Sequence, residues 1–331
     1  MSKQLNDIKF SVLDLAPVVE GGTVQESFKN TVELAQHTEQ LGYHRFWLAE
    51  HHNMPGIASS ATSVLIGHVA GATKKIKVGS GGIMLPNHSS LVIAEQFGTL
   101  ESLYPGRIDL GLGRAPGTDQ LTAQALRRSS RTDGQEFPQQ LEELEAYFAG
   151  EVSQVRAVPG EGLDIPIWLL GSSGFSAQLA AQKGLPFAFA SHFSPDNTIP
   201  ALRLYESHFQ PSDTLEKPYS MVAVNVIAAD TEEEAERLAT SLQMQFINLI
   251  RHKPGKLQPP VDDMDEIWTP YEKAALKQQL GSTIIGSPET VKEKLQKFLD
   301  ETRVDEIMVT AQIFDHQARL RSFEITAKAF Q

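Results

Sequence analysis

The sequence contains no cysteine. This removes disulfides, thiolate nucleophiles and cysteine-ligated metals from consideration, and it fits a reducing compartment. Long apolar runs are also missing. None approaches the roughly 20 residues that a membrane-spanning helix needs, and the N-terminal stretch MSKQLNDIKFSVLDL lacks the apolar core of a signal peptide. Basic residues are outnumbered, 29 Lys and Arg against 41 Asp and Glu, for a formal net charge of −12. That balance disfavours nucleic acid or an anionic membrane as a principal partner. The expectation is a cytoplasmic protein that handles a small molecule. There is no short repeat and no linker-like stretch, so residues 1–331 are expected to form one domain.

What is present is an alternation of short apolar runs with amphipathic stretches. Candidate strands are Ile8 to Leu15, Phe46 to Ala49, Ile76 to Leu85, Arg107 to Gly113, Ile165 to Gly171, Leu185 to Ala190, Tyr219 to Ala229 and Val304 to Thr310. Helical spacing separates them, with stops such as Gly42 and Pro105-Gly106 and starts such as Ser287-Pro288. The regularity breaks twice, over 114–134 and 251–286. Eight β-α units in one chain predict a (β/α)8 TIM barrel with insertions after strand 4 and between strands 7 and 8. A doubly wound open sheet is the alternative.

In such a barrel function lies where strands exit at their carboxyl ends. The second strand exits into Glu50-His51-His52-Asn53. A histidine there can move protons near neutral pH, or the pair is simply a solvated loop or helix cap. No HExxH spacing supports a metal. The third strand carries Gly81-Gly82, which reads either as a bulge or as a platform for close ligand approach. The fourth ends in Gly111-Leu-Gly113-Arg114-Ala-Pro-Gly117, whose GxGxxxG spacing and Pro116 miss the dinucleotide fingerprint. Arg114 is nevertheless a fixed cation at a strand exit. The fifth opens into Gly171-Ser172-Ser173-Gly174-Phe175-Ser176, a composition that serves phosphate binding and simple N-capping equally. The sixth ends near His192.

Taken together and in order, AEHHNM, VGSGGIMLP, RIDLGLGRAPG and GSSGFS resemble the bacterial luciferase-like flavin monooxygenases over nearly the whole chain, with the closest likeness to single-chain, non-luminescent members. The resemblance implies a barrel that holds FMN at the carboxyl ends of the strands. By motif, His51 matches the family's active-site base and Glu50 its acidic neighbour beside the ring. Gly81 and Gly82 match a pair joined by a non-prolyl cis peptide, a bond that costs about 2.5–4 kcal/mol. Arg114 matches the phosphate arginine, Ser172, Ser173 and Ser176 match the phosphate loop, and Arg131 matches a second phosphate contact. Asn53 and His192 are expected at the substrate rim, and 251–286 is expected to be a mobile lid.

Gly113 stands where the light-emitting subunit has cysteine, so light emission is not expected. The implied activity is monooxygenation of a small organic substrate. Reduced FMN, supplied by a separate reductase, would react with O2 through a C4a-(hydro)peroxyflavin. A deazaflavin (F420)-dependent hydride transfer and a non-catalytic flavin-binding protein are the alternatives. Family members commonly pair, so a homodimer is also implied.

Overall fold

The computed structural model describes residues 3–115, 119–127, 134–152 and 154–331. Ten strands form among the described residues: β1 (Lys9–Asp14), β2 (Arg45–Leu48), β3 (Lys77–Ser80), β4 (Ile83–Met84), β5 (Ile108–Gly113), β6 (Ile167–Gly171), β7 (Phe187–Phe189), β8 (Ser220–Ala228), β9 (Ile284–Gly286) and β10 (Glu306–Thr310). The helices are α1 (Val24–Gln40), α2 (Thr62–Ala72), α3 (Ser90–Leu103), α4 (Gln120–Arg127), α5 (Phe137–Ala149), α6 (Gly174–Lys183), α7 (Thr198–His208), α8 (Glu232–Ile250), α9 (Pro270–Gln279), α10 (Pro288–Thr302) and α11 (His316–Phe330).

Eight of the strands close into a parallel ring in the order β1-β2-β3-β5-β6-β7-β8-β10, with Glu306 in register with both Lys9 and Met221 across the closure. This is the TIM barrel that the alternation predicts, and the ring excludes the open sheet. The helix boundaries have local causes. Thr23 and Glu26 form a reciprocal capping box at the start of α1. Thr231 caps α8, whose first turn carries Glu232, Glu233 and Glu234 against the positive end of the helix dipole.

Two extra strands depart from the simple pattern. The third sequence run is not continuous, because β3 ends at Ser80 and β4 resumes at Ile83, with a cis peptide between Gly81 and Gly82. Across the break the pairing with β5 moves from Val78↔Ile108 to Ile83↔Leu112. The other extra strand, β9, arises inside the second insertion and pairs with the distal half of β8. The first insertion contains α4, which its polar composition did not suggest.

Strand parity sorts the side chains. Leu13, Trp47, Ala49, Trp168, Ala188, Met221, Ala223 and Met308 pack inside the barrel, with Trp47 and Trp168 edge to face at 5.3 Å. The alternate residues, among them Phe46, Val222, Ile307 and Val309, pack outward with the helices. Below the aromatic layer, at the amino ends of the strands, a charged plug fills the barrel. Arg45 donates to Asp109 at 2.6 Å and to Glu306 at 3.1 Å, while Tyr219 donates to Glu306 at 3.0 Å. Trp47 Nε1 donates to Asp109 at 3.1 Å, an approach that leaves no room at Gly79, where an added Cβ would lie 2.9 Å from that nitrogen. Pairing within the plug is what allows these charges to sit in the interior. The plug closes one end, and the interior space opens at the other. Among the described residues no helix is long and apolar enough to cross a membrane.

Candidate active site

A cavity of about 420 Å³ occupies the carboxyl end of the barrel, within the size range of small-molecule and cofactor sites. Trp47, Leu170, Met221 and Met308 form its apolar floor. Met54, Ile57, Phe193 and the α8 residues Leu242, Phe246 and Leu249 form its upper walls. The polar lining is sparse. Arg114 is the one permanently charged side chain among the described lining residues, and no carboxylate joins it.

Arg114 leaves the end of β5 beside the loop that follows β6. There Ser172, Ser173 and Ser176 line the same wall, and the Arg114 guanidinium lies 4.2 Å over the Phe175 ring. Ser173 is the N-cap of α6, yet its side chain makes no capping hydrogen bond. The simple capping role is therefore not in use, and the dipole of the first turn faces the cavity wall that carries the cation. An added Cβ at Gly171 would lie 2.8 Å from Ser176 Cβ, so the turn needs glycine to stay this tight. A cation, three hydroxyls and a helix amino end, with no carboxylate among the described lining residues, form a donor set suited to a phosphate monoester.

Gly81 and His51 line the cavity on the β2–β3 side. Glu50 does not. Its carboxylate is 1% exposed and lies behind the wall, where it accepts hydrogen bonds from His52 Nε2 at 2.9 Å, His88 Nε2 at 2.9 Å, Asn87 Nδ2 at 3.2 Å and the Met84 N–H at 2.9 Å. Burial alone would raise its pKa. The hydrogen bonds from His52 and His88, the charge of His88 and the Met84 amide outweigh that and hold it down at about 2. Glu50 is thus an anionic anchor joining the exit of β2 to β4 and the turn after it.

The chain matches the family described as luciferase-like monooxygenase over residues 8–306. It belongs to that family. A luciferase-like monooxygenase of Escherichia coli (strain K12) is 58% identical over 320 residues, covering 96% of each chain. The crystal structure of apo-MsnO8 superposes with a TM-score of 0.87 at 35% identity, covering 98% of both chains. The oxygenating constituent of 3,6-diketocamphane monooxygenase from Pseudomonas putida, a type II Baeyer-Villiger monooxygenase solved in complex with FMN, shares the fold with a TM-score of 0.74 at 18% identity, covering 99% of this chain and 97% of its own.

Set against this family's site, His51, Gly81, Arg114, Ser172, Ser173, Ser176 and His192 all line one cavity. Gly82 follows Gly81 through the cis peptide and is itself buried. Asn53 is exposed, at φ 56°, and donates to Asp119 at 3.0 Å outside the cavity. Arg131 lies outside the described residues. His192 faces the cavity near His51. Burial, reinforced by the charge of His51, pushes its pKa down to about 4, so its ring is neutral at physiological pH. The second insertion carries α9, whose Gln279 lines the cavity, and its Leu257 exchanges backbone hydrogen bonds with Val18 and Glu20 of the loop after β1. Besides Gln279 and Gln245 of α8, three polar lining residues at strand exits lay outside the motifs: Asn225 on β8, Thr310 at the end of β10 and Gln312 just beyond it. Their one sequence signal is inward parity at a strand exit.

The anchoring role of Glu50 has a direct consequence. Glu50→Gln keeps the volume but turns one acceptor oxygen into a donor facing other donors. It should lower the unfolding free energy by about 3 kcal/mol. Urea denaturation checks this, and a loss below about 1 kcal/mol would remove Glu50 from that role.

Proposed function

We propose that the protein is a flavin-dependent monooxygenase that binds FMN with its phosphate against Arg114 and the Ser172, Ser173 and Ser176 loop, and that oxygenates a small organic substrate. The observation that carries this reading is the polarity of the cavity: one cationic, hydroxyl-lined wall and otherwise apolar surfaces, in a member of the luciferase-like monooxygenase family. A phosphate needs that wall, and a flat, largely apolar ring needs the rest. The FMN complex of the 3,6-diketocamphane monooxygenase constituent, which shares the fold, supports the choice of cofactor.

When bound and reduced, the flavin supplies the activation of O2, which no protein side chain can perform. The residues of this chain do the remaining work. Arg114 and the serines would hold the phosphate. Gly81 would let the backbone approach a bound ring, and an added Cβ there would meet Leu13 at 2.7 Å. Trp47, Leu170 and Met308 exclude water from the lower face of the cavity. His51 is the titratable side chain that moves a proton to or from the reacting groups, and Glu50 holds the adjoining His52 so that the loop carrying His51 stays in place. A separate reductase delivers the reduced flavin.

Two outcomes are expected. Arg114→Ala should raise the dissociation constant for FMN roughly tenfold or more, measured by quenching of flavin fluorescence; an unchanged constant contradicts the phosphate role. His51→Ala should keep FMN affinity and slow turnover on the order of a hundredfold. Turnover is read as incorporation of isotopically labelled dioxygen into a panel of thioethers and ketones, with reduced FMN supplied by a reductase. Binding of F420 in preference to FMN would replace this reading with hydride transfer.

A further inference from the structure

Opposite the cationic wall, the cavity has a second polar feature that the phosphate site does not use. Around the ring of eight strands β5 and β10 are four places apart, so Arg114 and the end of β10 face each other across the barrel. Ala311 and Ile313 pack outward in the helix layer, which turns Thr310 and Gln312 inward, above Met308 of the barrel interior. Both line the cavity, at 1% and 3% exposure. Neither the amide nitrogen nor the amide oxygen of Gln312 has a hydrogen-bond partner among the described residues, and the Thr310 hydroxyl also lacks one. Asn225, in register with Thr310, is already committed, donating to the His192 carbonyl at 2.7 Å. A buried carboxamide with both ends unmet destabilises the fold unless something completes it.

The chemistry of that missing partner follows from what surrounds it. A carboxamide offers a donor and an acceptor side by side in one plane, so its complement is a group that also carries both. Among the described residues no permanently charged side chain lines the cavity besides Arg114 on the opposite wall, so a carboxylate or ammonium here would find no fixed counter-charge beside it. Leu242 and Phe246 of α8 line the same cavity, with Gln245 between them in the chain, and suit a hydrocarbon chain.

We infer that Gln312 and Thr310 form a substrate subsite that recognises a neutral amide, with the attached hydrocarbon lying against α8. This specifies the substrate class for the function proposed above and rests on FMN occupying the opposite wall. The pyrimidine edge of a flavin also presents a donor beside acceptors, so the test separates the two ligands.

Pentanamide and methyl butanoate are of about equal size and only the amide presents an N–H beside its carbonyl, so both serve as probes. Their binding is measured by isothermal titration calorimetry with and without saturating FMN, for the wild-type protein, Gln312→Met and Thr310→Val. The wild type should bind the amide at least about tenfold more tightly than the ester. Gln312→Met should bring the two within about twofold, and Thr310→Val should narrow the gap, while both leave FMN affinity within about threefold of wild type. Equal binding of amide and ester by the wild type, or no binding of either, overturns the inference. So does a Gln312→Met protein that loses FMN affinity about tenfold while keeping its amide preference, because the carboxamide would then read the flavin. Failure of the wild type to bind FMN at all counts against the cofactor reading instead, and amide selectivity is then judged on the FMN-free protein. Thr310→Val, nearly identical in shape, keeps the question answerable if Gln312→Met does not fold.

Discussion

A carboxylate behind the cavity wall, that of Glu50, ties three pieces of chain to one point. It is the first polar residue after the buried run of β2, and it collects an amide from β4, side chains from the turn that follows, and the ring of His52. A buried anion with this many donors is stable only while all of them stay in place. The position of His51, one residue along, and the course of the chain beyond the Gly81-Gly82 peptide therefore depend on the same network. The cavity's β2–β3 side is thus tied together by charge and hydrogen bonds as well as by the apolar packing of Leu48, Ile83 and Leu85.

The two ends of the barrel divide the remaining charge between structure and chemistry. At the amino ends Arg45 bridges Asp109 and Glu306, whose carboxylates also accept from Trp47 and Tyr219, in a plug that no ligand needs to enter. At the carboxyl ends Arg114 meets no carboxylate among the described cavity-lining residues, and its partner groups are hydroxyls and a helix amino end. A cation placed this way in a chain of net charge −12 makes a local anion site that the global charge would not suggest. The apolar layer of Trp47, Trp168 and Met308 separates the two regions.

Much of this was legible in the sequence because barrels repeat one rule. Each apolar run followed by polar or glycine residues marks a strand exit, and the exits after β2, β5 and β6 carried motifs dense enough to notice. The break between β3 and β4 was legible as Gly81-Gly82, although the change of pairing with β5 depends on backbone geometry that a run of letters does not carry. The burial of Glu50 was not legible. A glutamate beside two histidines looks like an active-site acid until Met84, Asn87 and His88 arrive from more than 30 residues away to bury it. Thr310 and Gln312 were passed over because one hydroxyl and one amide at the tail of an apolar strand form no motif. Only closure of the ring, which brings β10 round to face β5, gives them meaning. Strand β9 was hidden in a proline-containing insertion whose short Ile284–Gly286 segment acquires its strand character from β8.

The central claim is that the cavity is polar at one wall because it holds the phosphate of a flavin. Comparing FMN with riboflavin isolates that wall, since the two ligands share the ring and ribityl chain and differ in the phosphate alone. The account predicts that the wild-type protein binds FMN roughly a hundredfold more tightly than riboflavin, and that added salt narrows the gap. Equal affinity for the two would contradict it.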